Sequence, residues 1–122
     1  MKGYVGNIEK KTEENENYRE VVFTGQHMQL VVMTLQVGEE IGLEVHDTHD
    51  QFFRVEVGQA KIVMDGEESI IGAGSAAIVT AGTEHNVVNT GTEPLKLYTI
   101  YAPPQHPDGT IHKTKADEPE HH

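Results

Sequence analysis

Cysteine and tryptophan are absent from this chain, and aromatic residues of every kind are few. Without cysteine the chain has no thiolate metal site, no thiol nucleophile and no disulfide framework. A domain of about 100–150 residues buries enough surface to fold without covalent cross-links, and a chain of 122 residues fits one such domain. We therefore expect a single domain whose chemistry depends on oxygen and nitrogen groups.

Basic residues are also scarce. The chain has 9 lysines and arginines against 20 aspartates and glutamates, which gives a formal net charge of −11. Nucleic-acid backbones and anionic membrane surfaces repel such a chain, so we expect neither as a partner. The acidity itself is typical of a soluble protein surface.

Long apolar runs are missing as well. No window approaches the roughly 18 apolar residues of a membrane-spanning helix. The first twenty residues, which are polar, lack the apolar core of a signal peptide. We therefore expect a cytoplasmic protein.

What the chain has instead is a series of short runs rich in β-branched and aromatic residues, nearly all ended by Gly, Asp or Asn. In order these are VVFTG, MQLVVMTLQVG, IGLEVH, FFRVEVG, KIVMDG, ESIIGAG, AAIVTAG, HNVVNTG and LKLYTIYA. Runs at this spacing, separated by turn residues, predict an all-β sandwich or barrel. No stretch keeps helical periodicity for three turns, so helix has at most a minor part.

These runs divide the chain into three predicted parts. Residues 1–20 form a polar N-terminal segment, whose charged run is interpreted as loop, fringe or edge strand. Residues 21–102 form the β-barrel domain. Residues 103–122, rich in proline and histidine, form either a strap over the barrel or a loose tail.

Four polar side chains in the barrel are candidates for a metal site. Glu44 and His46 stand two apart on one predicted strand and so project to the same side. Gln51 begins the next strand, and His85 follows a Gly-Thr turn. Carboxylate, imidazole and amide oxygen are acceptable ligands for one divalent Mn, Fe, Ni, Co or Zn ion. The four donors therefore predict a mononuclear site, provided that the strands bring them together.

The spacing of these residues resembles that of the cupins, small jelly-roll barrels with two sequence motifs. The intervals of the first motif are kept by Gly38, Glu44, His46, Gln51 and Gly58. The intervals of the second are kept by Gly74, Thr80, Gly82, His85 and Asn89, with threonine in place of the usual proline. The resemblance implies a cupin-type jelly roll, similar to the small single-domain cupins called mannose-6-phosphate isomerase-like.

The ligand set departs from the three histidines and one glutamate that are usual in cupins. Glu44 occupies the first histidine position and Gln51 the glutamate position, so one carboxylate is kept but relocated. The resemblance implies a metal-dependent enzyme of isomerase or dioxygenase type acting on a small organic molecule. In the isomerase type, Glu44 would be the catalytic carboxylate that moves a proton. The alternative is a non-catalytic binding or sensing cupin, with or without metal.

Other residues receive weaker assignments. His49 is interpreted as a solvated turn residue, with contact to the metal or substrate as the alternative. His27, His106 and His112 are assigned to the surface. The basic residues on the predicted strands all point outward, which argues against a phosphosugar substrate; they are Arg54, Lys61 and Lys96.

The run at residues 28–37 is apolar on both faces and so needs a second cover. Either the N-terminal segment packs on it or it forms a subunit interface. Because cupins of this size are commonly dimers, the resemblance implies a homodimer with this strand at the interface.

Overall fold

The computed structural model describes residues 2–118 of the chain. Within them one short helix, nine strands and one 3₁₀ turn follow in order. They are α1 (Ile8–Glu14), β1 (Arg19–Thr24), β2 (Gln29–Leu35), β3 (Asp50–Val57), β4 (Gln59–Met64), β5 (Glu67–Gly72), β6 (Ala76–Val79), β7 (His85–Asn89), β8 (Leu95–Ala102), β9 (Ile111–His112) and the turn Lys115–Asp117.

The strands form two antiparallel sheets. The larger sheet has the order β6-β3-β8-β2-β1-β9, and the smaller has the order β5-β4-β7. Strands that are distant in sequence lie side by side, as in a jelly roll, in which chain segments cross between the sheets. The predicted all-β class and jelly-roll barrel are therefore confirmed.

The core lies between the two sheets and follows the predicted period of two. Along β8 buried and half-buried residues alternate, and the four buried ones begin with Leu95 and end with Tyr101. On β3 the predicted inner face is buried, with exposed fractions of 4% for Gln51, 1% for Phe53 and 0% for Val55. The predicted Asp-Gly turn is also present, since β4 and β5 pair directly across it.

The segment before β3 departs from the predicted regular strand. It pairs with β7 only at two isolated bridges, Glu40 with Val88 and Glu44 with His85. Gly42 between them has a φ of +115°, a conformation that residues with a Cβ rarely adopt. This irregularity interrupts the alternation, so Ile41 is buried while Leu43 is 61% exposed.

The N-terminal segment contains a helix, where the sequence was interpreted as loop, fringe or edge strand. Asn7 caps α1 by accepting a hydrogen bond from the backbone N–H of Lys10 at 3.0 Å. The helix is only two turns long, too short for its periodicity to stand out in the sequence. Its buried residue, Thr12, faces the barrel.

The second face of β2 is covered in part by this N-terminal segment. Val32 and Thr34 are almost fully buried, and the Thr34 hydroxyl donates to the Asn15 carbonyl at 2.8 Å. Farther along, Met28 stays 54% exposed. Packing by the N-terminal segment, one of the two predicted alternatives, is thus present over part of β2. The homodimer stays a prediction.

The segment after β8 is a strap along the edge of the larger sheet. The Gln29 side chain holds it by accepting from the backbone N–H groups of Gln105 and His106, at 3.1 and 3.0 Å. Farther on, β9 pairs with the first residues of β1. The strap alternative is therefore observed up to Glu118, and residues 119–122 of the predicted tail lie outside the described residues. None of the helices in residues 2–118 is long and apolar enough to span a membrane.

The closed core predicts a large effect for a cavity at its centre. Leu97→Ala removes a side chain that is 0% exposed, and we expect a loss of about 2–5 kcal/mol in the free energy of unfolding. The matched control is Leu43→Ala, at a position that is 61% exposed, where we expect a change within about 0.5 kcal/mol. Urea unfolding of both variants checks this, and equal losses would contradict the assignment of the core.

Candidate metal centre

Glu44 and His85 are held opposite each other by the backbone. The N–H of each residue donates to the carbonyl of the other, at 2.9 Å in both directions. Such a hydrogen-bonded pair places two side chains on the same face of the sheet. Glu44 and His85, which belong to different motifs, are thus in contact because residue 44 lies beside the first residue of β7.

His46 is brought to the same place by the turn before β7. Its backbone carbonyl accepts from the N–H of Gly82 at 3.0 Å, and Gly82 has a φ of +85° that favours glycine. The ring centroids of His46 and His85 are 5.5 Å apart. His46 Nε2 lies 3.9 Å from a carboxylate oxygen of Glu44.

The three side chains form a group that can hold a metal ion. One ligand atom from each of Glu44, His46 and His85 lies within 4.8 Å of the other two. Ligand atoms about 2.1 Å from one ion are at most about 4.2 Å apart, so a small contraction brings the group to coordination distance. Two imidazoles and one carboxylate are a common donor set for divalent transition metals.

His85 also has the tautomer that a metal ligand needs. Its Nδ1 lies 3.0 Å from the carbonyl oxygen of Thr83. Because a carbonyl can only accept, Nδ1 carries a hydrogen, and in the neutral ring Nε2 is then the nitrogen with the lone pair. A ring oriented through its other nitrogen in this way is typical of histidine ligands.

Gln51 offers a fourth oxygen from the start of β3. Its Nε2 donates to the hydroxyl of Thr99 at 3.0 Å, which orients the amide. Its Oε1 is buried and has no hydrogen-bond partner among residues 2–118. An unsatisfied buried acceptor is costly, and a cation or a substrate donor would satisfy it. The residues present therefore fit a bound metal ion.

Comparison with known proteins agrees with this arrangement. The family model described as "Cupin domain" matches residues 31–101, which include all four candidate ligands. The chain is a cupin. The matched range includes the residues of both motifs and the strands that carry them.

Several relatives cover nearly the whole cupin. An uncharacterised protein of Bacillus subtilis, YrkC, is 48% identical over 122 residues, which are 95% of this chain and 66% of that protein. An uncharacterised protein of Acanthamoeba polyphaga mimivirus is 41% identical over 113 residues, covering 88% of this chain and 70% of that protein. Thus the chain spans about two thirds of each relative's length.

A solved structure from Bacillus halodurans has the same fold throughout. It is 48% identical, with a TM-score of 0.92, and the match covers 93% of this chain and 91% of that one. The similarity therefore extends beyond residues 31–101, the part of the chain that the family model matches.

Tyr101 lies at the inner end of β8, next to the candidate ligands. Its ring centroid is 6.4 Å from that of His46, and β-pairing places it opposite Gln51. Burial raises the pKa of Tyr101 to about 12, although the nearby Arg19 guanidinium acts in the opposite direction and Glu44 adds to the rise. Burial likewise raises the pKa of Tyr18 far above its usual range.

The interior also holds a cation that sequence analysis missed. Arg19, which was assigned to the polar N-terminal segment, is the first residue of β1 and is only 1% exposed. Its register partner is the buried Met33, so its side chain begins on the inner face. The signal was the alternation of Arg19 with Val21, which places both on one side of a strand that begins earlier than predicted.

The outward orientation was predicted for Arg54, Lys61 and Lys96, and Arg19 was not among them because β1 begins earlier than predicted. It holds for Lys61 and Lys96, which pair with Glu68 and Glu16 at 3.7 and 3.3 Å. A basic anchor inside the barrel exists, so the argument against an anionic substrate no longer stands.

Two histidines assigned to the surface also have inner partners. His106 stacks edge-on against Tyr101, with ring centroids 5.2 Å apart. Nδ1 of His112 lies 3.4 Å from a guanidinium nitrogen of Arg19. Both lie in the strap, whose path could not be predicted from its composition.

His49 lies beside the centre rather than in it. Its ring centroid is 5.6 Å from that of His46, and its Nε2 lies 3.3 Å from the carbonyl oxygen of Pro104. Because that oxygen can only accept, Nε2 is the donor and is turned toward the strap. His27 is exposed.

Gln51→Glu tests whether the amide belongs to the metal site. A carboxylate binds a divalent cation more strongly than a neutral amide, so we expect at least about tenfold tighter metal binding. Without metal, the added buried charge lowers the free energy of unfolding. Competition with a metallochromic chelator measures the affinity, and an unchanged value would exclude Gln51 as a ligand.

The raised pKa of Tyr101 predicts a loss of stability at high pH. Its phenol keeps its proton in the folded chain up to a pKa of about 12, whereas the unfolded chain releases it near the ordinary value of 10.0. The associated stability is fully present below pH 10 and is lost as pH rises from 10 toward 12. We expect Tyr101→Phe to flatten this loss by about 2 kcal/mol, measured by urea unfolding at a series of pH values. Equal slopes in the two proteins would contradict it.

Proposed function

We propose that this cupin binds one divalent transition-metal ion and acts as a metal-dependent enzyme on a small organic molecule inside the barrel. The observation that carries the proposal is the convergence of Glu44, His46 and His85 within 4.8 Å. The free acceptor oxygen of Gln51 supports it, because a buried amide oxygen without a donor is otherwise unexplained.

In this proposal Glu44, His46 and His85 hold the ion, with Gln51 as a neutral fourth ligand. The ion supplies Lewis acidity toward a substrate oxygen. The backbone bridge between residues 44 and 85 keeps the carboxylate and the imidazole in place. Tyr101 and the buried strands around it exclude water, which strengthens electrostatic interactions in the site.

Two reaction types fit this donor set. In an isomerase, Glu44 would move a proton between neighbouring carbons of the substrate, and the ion would polarise a substrate oxygen. In a dioxygenase, Glu44, His46 and His85 would hold the ion as ligands, and the ion would supply the redox chemistry for the reaction with dioxygen. The isomerase type gives Glu44 a catalytic role, whereas the dioxygenase type makes it a ligand alone.

A non-catalytic binding cupin is the second candidate function. The distance of 3.9 Å between Glu44 and His46 favours it, because a protonated imidazole can neutralise the carboxylate without a metal. A neutral glutamine at the fourth position also weakens any metal site. In this alternative the barrel holds a small ligand through the same polar groups.

Elemental analysis of tag-free protein separates the two functions. We expect about one equivalent of a transition metal in the purified chain, and less than about a tenth of that in Glu44→Ala and in His85→Ala, because each loses a first ligand. His27→Ala, at an exposed position away from the site, is the control and keeps its metal.

Metal retained in both ligand variants would contradict the proposed site. Metal absent from every protein, even after incubation with Mn, Fe, Co, Ni and Zn salts, would favour the binding cupin. A substrate screen on the metal-loaded chain then distinguishes isomerase from dioxygenase activity by whether dioxygen is consumed.

A further inference from the structure

A charged side chain stands where the barrel would be expected to have an apolar one. The register row of Arg19 continues through Met33 and Leu97 to Val55, all three of which are fully buried. Burying a charge costs several kcal/mol unless it is paired and hydrogen-bonded. The charge of Arg19 must therefore be balanced either by side chains of the protein or by a bound ligand.

The partners present leave part of the guanidinium unused. Nη1 of Arg19 donates to a carboxylate oxygen of Glu118 at 2.5 Å and lies 3.4 Å from His112. The Arg19 Nε and the Tyr18 hydroxyl are both buried without a hydrogen-bond partner among residues 2–118. The Tyr18 ring lies under the guanidinium, 5.2 Å from its central carbon. Thus Nη1 of Arg19 is hydrogen-bonded, whereas Nε of Arg19 and the neighbouring Tyr18 hydroxyl have no partner among residues 2–118.

Tyr101 joins this group to the metal centre. On one side its hydroxyl interacts with Arg19, whose charge and hydrogen bond oppose the rise in the Tyr101 pKa caused by burial. On the other side its ring meets His46 at a centroid distance of 6.4 Å. The Arg19 guanidinium and the candidate metal centre therefore both neighbour one buried tyrosine.

The carboxylate that meets Arg19 comes from the strap. Glu118 directly follows the 3₁₀ turn Lys115–Asp117, and its side chain is 8% exposed. Between β9 and this residue, the strap is attached through the Lys113 carbonyl, which accepts from the N–H of Tyr18 at 3.1 Å, and through Lys115, which donates to the Glu40 carbonyl. These hydrogen bonds position the Glu118 carboxylate next to the Arg19 guanidinium.

We propose that Arg19, with the Tyr18 and Tyr101 hydroxyls, is a carboxylate-binding subsite of the barrel, and that Glu118 occupies it as an internal ligand that a substrate carboxylate displaces. The proposal rests on the proposed function and names its substrate class, a small organic acid. Guanidinium binds a carboxylate through two parallel hydrogen bonds, and Glu118 already presents that group. The group that occupies Arg19 in this structure is a carboxylate, so we assign the subsite to carboxylates rather than to phosphates.

Malonate binding to the full tag-free chain, measured by calorimetry, tests the subsite. Glu118→Gln removes the internal carboxylate, so we expect at least about tenfold tighter malonate binding than in the unmodified chain. Glu67→Gln, which alters an exposed carboxylate on β5, is the matched control and leaves the affinity unchanged. Neutral malonamide does not bind, since it lacks the charge that Arg19 recognises.

Double variants locate the bound anion. Adding Arg19→Met to Glu118→Gln abolishes malonate binding. If that protein does not fold, Arg19→Lys keeps the charge but loses the planar fork, and it lowers the affinity without abolishing it. Adding His85→Ala to Glu118→Gln removes the metal ligand and leaves malonate binding intact.

The outcomes separate this proposal from the proposed function. Malonate binding that disappears with His85→Ala but survives Arg19→Met would place the anion on the metal and overturn the subsite. Affinity unchanged in Glu118→Gln, or inorganic phosphate binding more tightly than malonate, would also overturn it. Arg19-dependent malonate binding in a chain that elemental analysis finds metal-free would support the subsite while the metal function fails.

Hydrogen exchange in the unmodified chain tests the displacement of Glu118. Release of the strap frees the N–H of Tyr18 from the Lys113 carbonyl, so malonate should accelerate exchange at that amide. The N–H of Gly74, which is bonded to the Val55 carbonyl, is the internal reference and does not change. Equal protection of Tyr18 with and without malonate would contradict displacement.

Discussion

Satisfying polar groups inside a small barrel is the constraint on which the rest of this structure depends. The two sheets enclose one core, yet their inner faces carry a carboxylate, imidazoles, an amide and a guanidinium as well as apolar side chains. Each buried polar group needs a partner, or the fold loses stability. Backbone bridges, the strap and the turn before β7 supply many of these partners, and the buried groups left without one among residues 2–118 include Gln51 Oε1 and Arg19 Nε.

Tyr101 is the residue through which the two polar groups of the interior meet. It ends the inner row of β8, which pairs with β3 on one side and with β2 on the other. Gln51 lies on β3, and Arg19 lies on β1, the strand next to β2. The candidate metal centre and the guanidinium are thus parts of one polar interior. The strap matters for the same reason, because His106 and Glu118 each reach this interior from it.

Prediction from sequence succeeded where local spacing determines geometry. Alternation in QFFRVEVG requires that residues 51, 53 and 55 share a face, since successive strand residues point to opposite sides. Prediction failed where polar residues are buried by elements distant in sequence. Arg19 has a charged neighbourhood typical of a surface, and only its pairing with β2 and its contact with Glu118 place it inside.

The sequence by itself determined the all-β class and, through the motif intervals, the resemblance to a jelly roll and the choice of four candidate ligands, because strand periodicity, glycine turns and motif intervals are local properties of the chain. The tertiary structure alone decided that Glu44 and His85 are hydrogen-bonded opposites, that an arginine is buried beside them and that the strap brings a carboxylate to it. These contacts join residues up to 99 positions apart, and no local pattern encodes a contact whose partners meet only after the barrel has closed.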